Sequence, residues 1–199
     1  IKPACGDCNL RCRYCFYLNR CSLYPETDRH RMTDSVLERL VKSFLETDQP
    51  QHSFAWQGGE PTLMGLDFFK RAAALQKKYG RAGQVVTNGL QTNGILITEE
   101  FAKHLAENRF LAGVSLDGPP AIHDKYRMYA AGRGSHADVI KGIRNLERNK
   151  VEFNILTLVS RSNVRKAGEV YRYLCDNGFF FQQVEGLATG FHYPVHAAV

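Results

Sequence analysis

Cys8, Cys12 and Cys15 stand in a CxxxCxxC spacing within the first fifteen residues. Three thiolates this close can hold three corners of a four-iron four-sulfur cube, and with no fourth cysteine at cluster spacing the remaining iron stays open to a small-molecule ligand. An open coordination position marks a reactive rather than a structural metal centre, as it does for zinc. Adding Cys5 gives two CxxC pairs, a pattern that superficially suggests zinc; zinc modules, however, usually separate their ligand pairs by a dozen or more residues so that two turns converge on one ion. A disulfide framework fits less well still, because six cysteines in 199 residues are sparse and a chain of this length can bury a core without cross-links. Cys21 and Cys175 read as spare thiols, Cys175 within an apolar helical pattern where it packs.

The elements that must position these cysteines alternate along the chain. Apolar residues recur at helical spacing through Leu37, Leu40, Val41, Phe44 and Leu45; Phe68, Ala72, Leu75 and Tyr79; Phe101 and Leu105; Val139, Ile140, Ile143 and Leu146; and Ala167, Val170, Tyr171 and Leu174. Thr33-Asp34-Ser35, Asp67, Thr98-Glu99-Glu100, Ser135 and Ser162-Asn163 supply caps or acidic first turns, and Gly80 and Gly178 fall just past helix ends. Strands are expected at Ile1–Ala4, Ser53–Gln57, about Gln84–Gln91, Leu111–Leu116, Phe153–Val159 and Phe179–Val184. Six strands separated by five helices imply an α/β parallel sheet, a partial (β/α)6 barrel of the TIM type.

Parallel barrels put chemistry at the carboxyl ends of their strands. The cysteine loop follows the first expected strand, Gln57-Gly58-Gly59-Glu60-Pro61 the second, Gln91-Thr92-Asn93-Gly94 the third and Ser115-Leu116-Asp117-Gly118 the fourth, while Gln182, Gln183 and Glu185 close the sixth. Each Gly-Gly or Asn-Gly pair alone reads as an ordinary turn. Their shared rim is what points to a site.

Composition bounds the partners. With 44% hydrophobic and 23% charged residues the chain reads as one ordinary globular domain. No apolar run approaches the ~18 residues of a membrane span. The opening Ile1-Lys2-Pro3 lacks a leader pattern, and thiolates kept reduced point to the cytoplasm. The net charge of +6 is spread over helix faces (Lys70, Arg71, Lys77, Lys78, Lys141, Arg144, Arg148) rather than clustered as a nucleic-acid footprint.

The cysteine triad with Tyr14 before its last member, Gly58-Gly59-Glu60-Pro61, Gln91-Thr92-Asn93-Gly94, and Ser115-Leu116-Asp117-Gly118-Pro119 through His123-Asp124 to Arg127 resemble the radical S-adenosylmethionine (radical SAM) superfamily. Lys2-Pro3, Cys15-Phe16-Tyr17-Leu18, Trp56-Gln57-Gly58-Gly59-Glu60-Pro61-Thr62-Leu63 and Ser115-Leu116-Asp117-Gly118-Pro119-Pro120 resemble its anaerobic sulfatase-maturating enzymes. The likeness runs from residue 2 to about 183, so residues 1–199 read as one radical SAM core domain with an atypical tail over 184–199.

The resemblance implies that Cys8, Cys12 and Cys15 hold a 4Fe-4S cluster whose open iron is chelated by the amino and carboxylate groups of S-adenosylmethionine. Gly58 and Gly59 would let backbone carbonyls reach the ammonium, with Glu60 adding negative charge nearby. Arg127 would bind the carboxylate, Ser115 would hydrogen-bond the cofactor, and Tyr14 would lie beside the adenine and the cluster. Gln57 and Gln91 are candidates for gripping the peptide, or else plain hydrogen bonders of the barrel top. The implied reaction oxidises a cysteine or serine of a sulfatase polypeptide to Cα-formylglycine, with reduced flavodoxin or ferredoxin as electron donor; related maturases of other peptides share part of the pattern. The family's cysteine-rich extension, with its auxiliary clusters and catalytic carboxylate, has no match here, and Cys5, Cys21 and Cys175 match no auxiliary ligand. The chain is therefore expected to be the radical-generating core of a longer enzyme, or else a non-catalytic remnant that binds a cluster without turnover.

Overall fold

The computed structural model describes residues 1–18, 29–160 and 163–186. Five strands, β1 (Gln51–Trp56), β2 (Val85–Thr92), β3 (Phe110–Ser115), β4 (Glu152–Val159) and β5 (Gln182–Gly186), form one sheet in chain order, every neighbouring pair parallel. Parallel neighbours need long crossovers. These carry α2 (Leu66–Tyr79), α3 (Glu99–Glu107), α4 (Pro120–His123) with α5 (His136–Arg148), and α6 (Ala167–Asp176), while α1 (Asp34–Leu45) precedes β1.

Alternation decides which face is covered. In β1, His52, Phe54 and Trp56 are buried while Gln51, Ser53 and Ala55 are exposed. Trp56 meets Phe68 and Phe69 edge-on at 5.7 and 5.9 Å, the geometry ring quadrupoles favour. Its Nε1 donates to Asn88 Oδ1 at 3.0 Å, and Asn88 and Gln76 exchange two bonds of 2.9 Å, so the polar atoms buried with the rings are satisfied. Thr33 and Thr98 cap α1 and α3 as expected, accepting from Val36 N at 3.4 Å and Phe101 N at 3.2 Å.

The structure departs from expectation at both ends of the sheet. Ile1–Ala4 is not a strand: Ile1 alone joins β1, donating to Ala55 O at 2.7 Å and accepting from Gln57 N at 2.9 Å, before the chain turns through Cys5 at φ 51°. Five strands are thus present among the described residues, not six. The last begins three residues late, because Phe179 completes a helix stop instead. Its N–H bonds Leu174 O and that of Gly178 bonds Cys175 O, both at 2.9 Å, a Schellman closure of α6 that buries Phe179. On α6 only Val170 and Leu174 are buried; Tyr171 is exposed and Cys175 half-buried, so the apolar face is narrower than its spacing suggests. Ser135 does not cap α5 with its side chain. Cys21 and Ser162 lie outside the described residues, as does the tail beyond 186. No helix among the described residues is long and apolar enough to cross a membrane.

Candidate functional site

A cavity of about 690 Å³ opens at the carboxyl ends of the strands. Cys8, Cys12 and Cys15, Tyr14, Gln57 to Glu60, Gln91, Ser115 and Arg127 all line it, so the structure brings together the residues to which the resemblance gave a role, whereas Asp117 and Gln182 of the expected rim are not in the lining. Cys5 is absent from that lining, and among the described residues no three His, Cys, Asp or Glu side chains converge as ligands of a single ion. Cys8 opens onto the cavity yet sits deep among protein atoms, and burial pushes its thiol up to about 12. Burial likewise carries Cys12 to about 11, against the pull of Arg127.

The cysteine loop is fastened chiefly through its backbone. Arg11 N donates to Met128 O at 2.8 Å and Arg13 N to Tyr126 O at 2.9 Å, Cys15 N turns back to Cys12 O at 2.9 Å, and Glu60 N donates to Asp7 O at 2.7 Å. The Asp7 carboxylate in turn holds His30 N and His30 Nδ1, each at 2.9 Å, and Arg31. Why residues 58 and 59 are glycines becomes plain here. A Cβ on Gly59, at φ +44°, would stand 2.1 Å from Asp7 O, and one on Gly58 would meet Lys2 Cγ at 2.7 Å. The missing side chains therefore let this turn press against the cysteine loop, a reason for glycine that the sequence did not reveal.

Glu60 is 1% exposed and fully engaged. Oε1 accepts from Thr62 N, Thr62 Oγ1 and Thr92 Oγ1 at 3.0, 2.6 and 2.7 Å, and Oε2 from Asn93 N at 2.7 Å. Burial pushes the carboxyl upward, opposed by those donors. Its side chain braces the β1 turn against the β2 turn, and neither oxygen is left without a protein donor.

Asp117, at the end of β3, is the hub of the opposite wall. Its Oδ2 accepts from Tyr14 Oη at 2.5 Å and Arg127 Nε at 2.9 Å, and its Oδ1 from Leu158 N at 3.1 Å. Desolvation opposes its ionisation, but Arg127, Tyr14 and Leu158 N together more than offset this and hold the carboxyl below its usual range. The guanidinium lies over the Tyr14 ring at 5.3 Å. With Nε spent on Asp117, its terminal nitrogens have no protein acceptor among the described residues, and the residue lines the cavity. Behind it, Asp117 N donates to His123 Nδ1 at 3.2 Å, which leaves the His123 Nε2 hydrogen for Ser135 Oγ at 3.0 Å, and Ser135 donates to Arg127 O at 2.9 Å. Burial, then Arg127, bring the imidazole down to about 3, so it is neutral and its tautomer is fixed by its partners. Gln91 Nε2 donates to Ser115 Oγ at 3.3 Å, and its carbonyl occupies the place a side chain at Gly113 would take, 2.3 Å from the would-be Cβ.

The family model "Radical SAM superfamily" matches residues 4–174. The chain belongs to the radical SAM superfamily. Within it, a cysteine-type anaerobic sulfatase-maturating enzyme of Clostridium novyi is 42% identical over 183 residues, 92% of this chain and 49% of that protein. A serine-type counterpart of Bacteroides thetaiotaomicron is 40% identical over 174 residues, 87% and 42% of the two lengths. A solved structure of native anSMEcpe with bound AdoMet and Cp18Cys peptide superposes with a TM-score of 0.85 at 42% identity, over 92% of this chain and 48% of that one. The chain spans about half the length of the curated relatives it matches.

In this radical SAM chain, the sequence motifs include Asn93, Asp117 and His123 but give them no task, and they leave out Asp7 and Leu158. The partners of Asp117 lie up to 103 residues away, a distance that no local pattern encodes.

Proposed function

We propose that this chain generates the radical of an anaerobic sulfatase-maturating enzyme, the product being Cα-formylglycine at a sulfatase cysteine or serine. The observation that carries the proposal is one cavity shared by three cysteines, a Gly-Gly-Glu turn and an arginine with unspent donors, in a chain 40–42% identical to the two maturating enzymes above. The residues present fit the implied cofactors. Cys8, Cys12 and Cys15 would hold the 4Fe-4S cluster, and the free edge of Arg127, aimed into the cavity by Asp117, matches a carboxylate. Together the cluster and S-adenosylmethionine supply a one-electron cleavage to methionine and a 5'-deoxyadenosyl radical, the electron coming from a reduced flavodoxin or ferredoxin in the cytoplasm.

The protein's own part is to place and shield. Ser115, oriented by Gln91, offers a hydroxyl at the end of β3. Tyr14, fixed by Asp117 and with Arg127 over its ring, lines the cavity and would lie beside the adenine. Glu60, behind the Gly58-Gly59 turn, would favour a bound ammonium through its carboxylate form without touching it. Gln57 and Gln91 face the cavity and would grip the peptide.

The test is anaerobic reconstitution with iron and sulfide, then dithionite and S-adenosylmethionine, with mass analysis of products. The expected outcome is one cluster and 5'-deoxyadenosine from the wild-type chain, and neither from Cys8→Ala, Cys12→Ala or Cys15→Ala, whereas Cys5→Ala and Cys175→Ala keep both. Retention of zinc without sulfide would overturn the proposal. A longer form that modifies some other peptide but ignores sulfatase peptides would move the substrate assignment to a related maturase.

A further inference from the structure

Two N–H groups converge on Cys8. Leu10 N lies 3.3 Å from its sulfur and Asn93 Nδ2 lies 3.7 Å from it. The Asn93 amide has little freedom, being 7% exposed with its backbone N on Glu60 Oε2 at 2.7 Å. Its Oδ1 accepts from Ile95 N at 3.1 Å while Nδ2 donates to Asn9 Oδ1 at 2.8 Å. A flipped amide would set an oxygen against the Asn9 oxygen and a nitrogen against the Ile95 N–H, so the network fixes which end faces Cys8. As a thiol, Cys8 also points its hydrogen at Asn9 Oδ1 across 3.8 Å. Once that proton has left to make a ligand, the Leu10 and Asn93 N–H groups are the donors left on the sulfur, while Asn9 Oδ1, 3.8 Å away, remains occupied by Asn93 Nδ2.

Hydrogen bonds to the sulfurs of an iron–sulfur cluster set its reduction potential. A donor stabilises the reduced cluster more than the oxidised one, because the added electron places further negative charge on the sulfurs. We propose that Asn93 is a positioning residue that raises the electron affinity of the cluster through its amide N–H to Cys8, and that Glu60 holds it in register for this. The inference rests on the cluster assignment above and goes beyond it by naming what tunes the cluster.

The experiment is a redox titration of the reconstituted chain, followed by electron paramagnetic resonance of the reduced cluster, with iron and sulfide counted in the same samples. Asn93→Ala, and more strongly Asn93→Asp, which replaces the donor by an acceptor, should load iron as the wild type does. Their one-electron reduction equilibrium should become about tenfold less favourable, a fall of ~59 mV. Wild-type chain labelled with 15N-asparagine should show a coupled side-chain nitrogen in the pulsed spectrum of the reduced cluster, which decides the question should the variants fail to load. Normal loading with an unchanged midpoint, or no coupled asparagine nitrogen, overturns the role of Asn93 and leaves the cluster assignment standing. A wild-type chain that loads no cluster sinks the assignment itself.

Discussion

Glu60→Gln separates bracing from charge. All four donors on Glu60 are protein groups, so the best a glutamine can do is keep Oε1 toward Thr62 and Thr92 and turn its NH2 toward Asn93 N. That sets donor against donor and strands a buried N–H, a loss of about 1–3 kcal/mol. Removing a buried carboxylate returns part of its desolvation cost, so we expect a net loss of ~2 kcal/mol. For a chain of this size such a loss lowers the melting temperature by about 4–8 °C. Thermal unfolding followed by far-ultraviolet circular dichroism, on cluster-free protein under reductant, reads this without any cofactor. If Glu60 acted only as a negative charge beside a bound ammonium, the unfolding curve would not move and S-adenosylmethionine affinity alone would fall; an unmoved curve refutes the bracing assigned here.

Gly59→Ala should disrupt the cysteine loop and abolish iron loading, because its Cβ would overlap the Asp7 carbonyl at 2.1 Å; Gly58→Ala, strained at φ +87° and 3.1 Å from Cys5 O but otherwise against the flexible Lys2 side chain, should lose less of the iron. Iron analysis after reconstitution checks both. Acid should weaken the fold through His123: its folded value near 3 lies below the ~6.5 of an unfolded histidine, so the stability is whole above pH 6.5 and lost as pH falls toward 3, by about 2 kcal/mol at pH 5. Denaturant unfolding at pH 7 and 5 should show a smaller pH dependence in His123→Gln. Arg127→Lys keeps the charge but loses the fork and the Nε bond to Asp117, and should weaken S-adenosylmethionine binding by about 1.5–3 kcal/mol with iron content unchanged, read by equilibrium dialysis.

Placement of the candidate residues was legible because it follows from topology. Once the strands are parallel and joined through helices, Gln57, Gln91 and Ser115 must end up on one side, whatever the details between. Harder to read were features set by contacts across the chain. Four residues, Ile1–Ala4, are too few for periodicity to tell a strand from a segment that pairs once and turns. The spacing of Ala167, Val170, Tyr171 and Leu174 suits a helix, but the sheet reaches only Val170 and Leu174. Glu60 was recognisable as acidic and close to the glycines, yet its tie to Thr92 and Asn93 depends on how the β1 and β2 turns meet. The neutral state of His123 likewise depends on Asp117 N and Ser135, which a one-dimensional pattern does not pair.

The backbone fastening of the cysteine loop has a consequence for how such a chain can diverge. Ile1 O accepts from Gln57 N, Asp7 O is held by Glu60 N, and residues 11 and 13 bond the 126–128 segment, all through peptide groups that any residue except proline at a donor position can supply. The spatial arrangement of the three sulfurs is thereby insulated from the side chains at positions 11 and 13, both of which point to solvent. Those positions can drift in charge and size under selection for new surroundings while the geometry that matters to the chemistry is inherited unchanged.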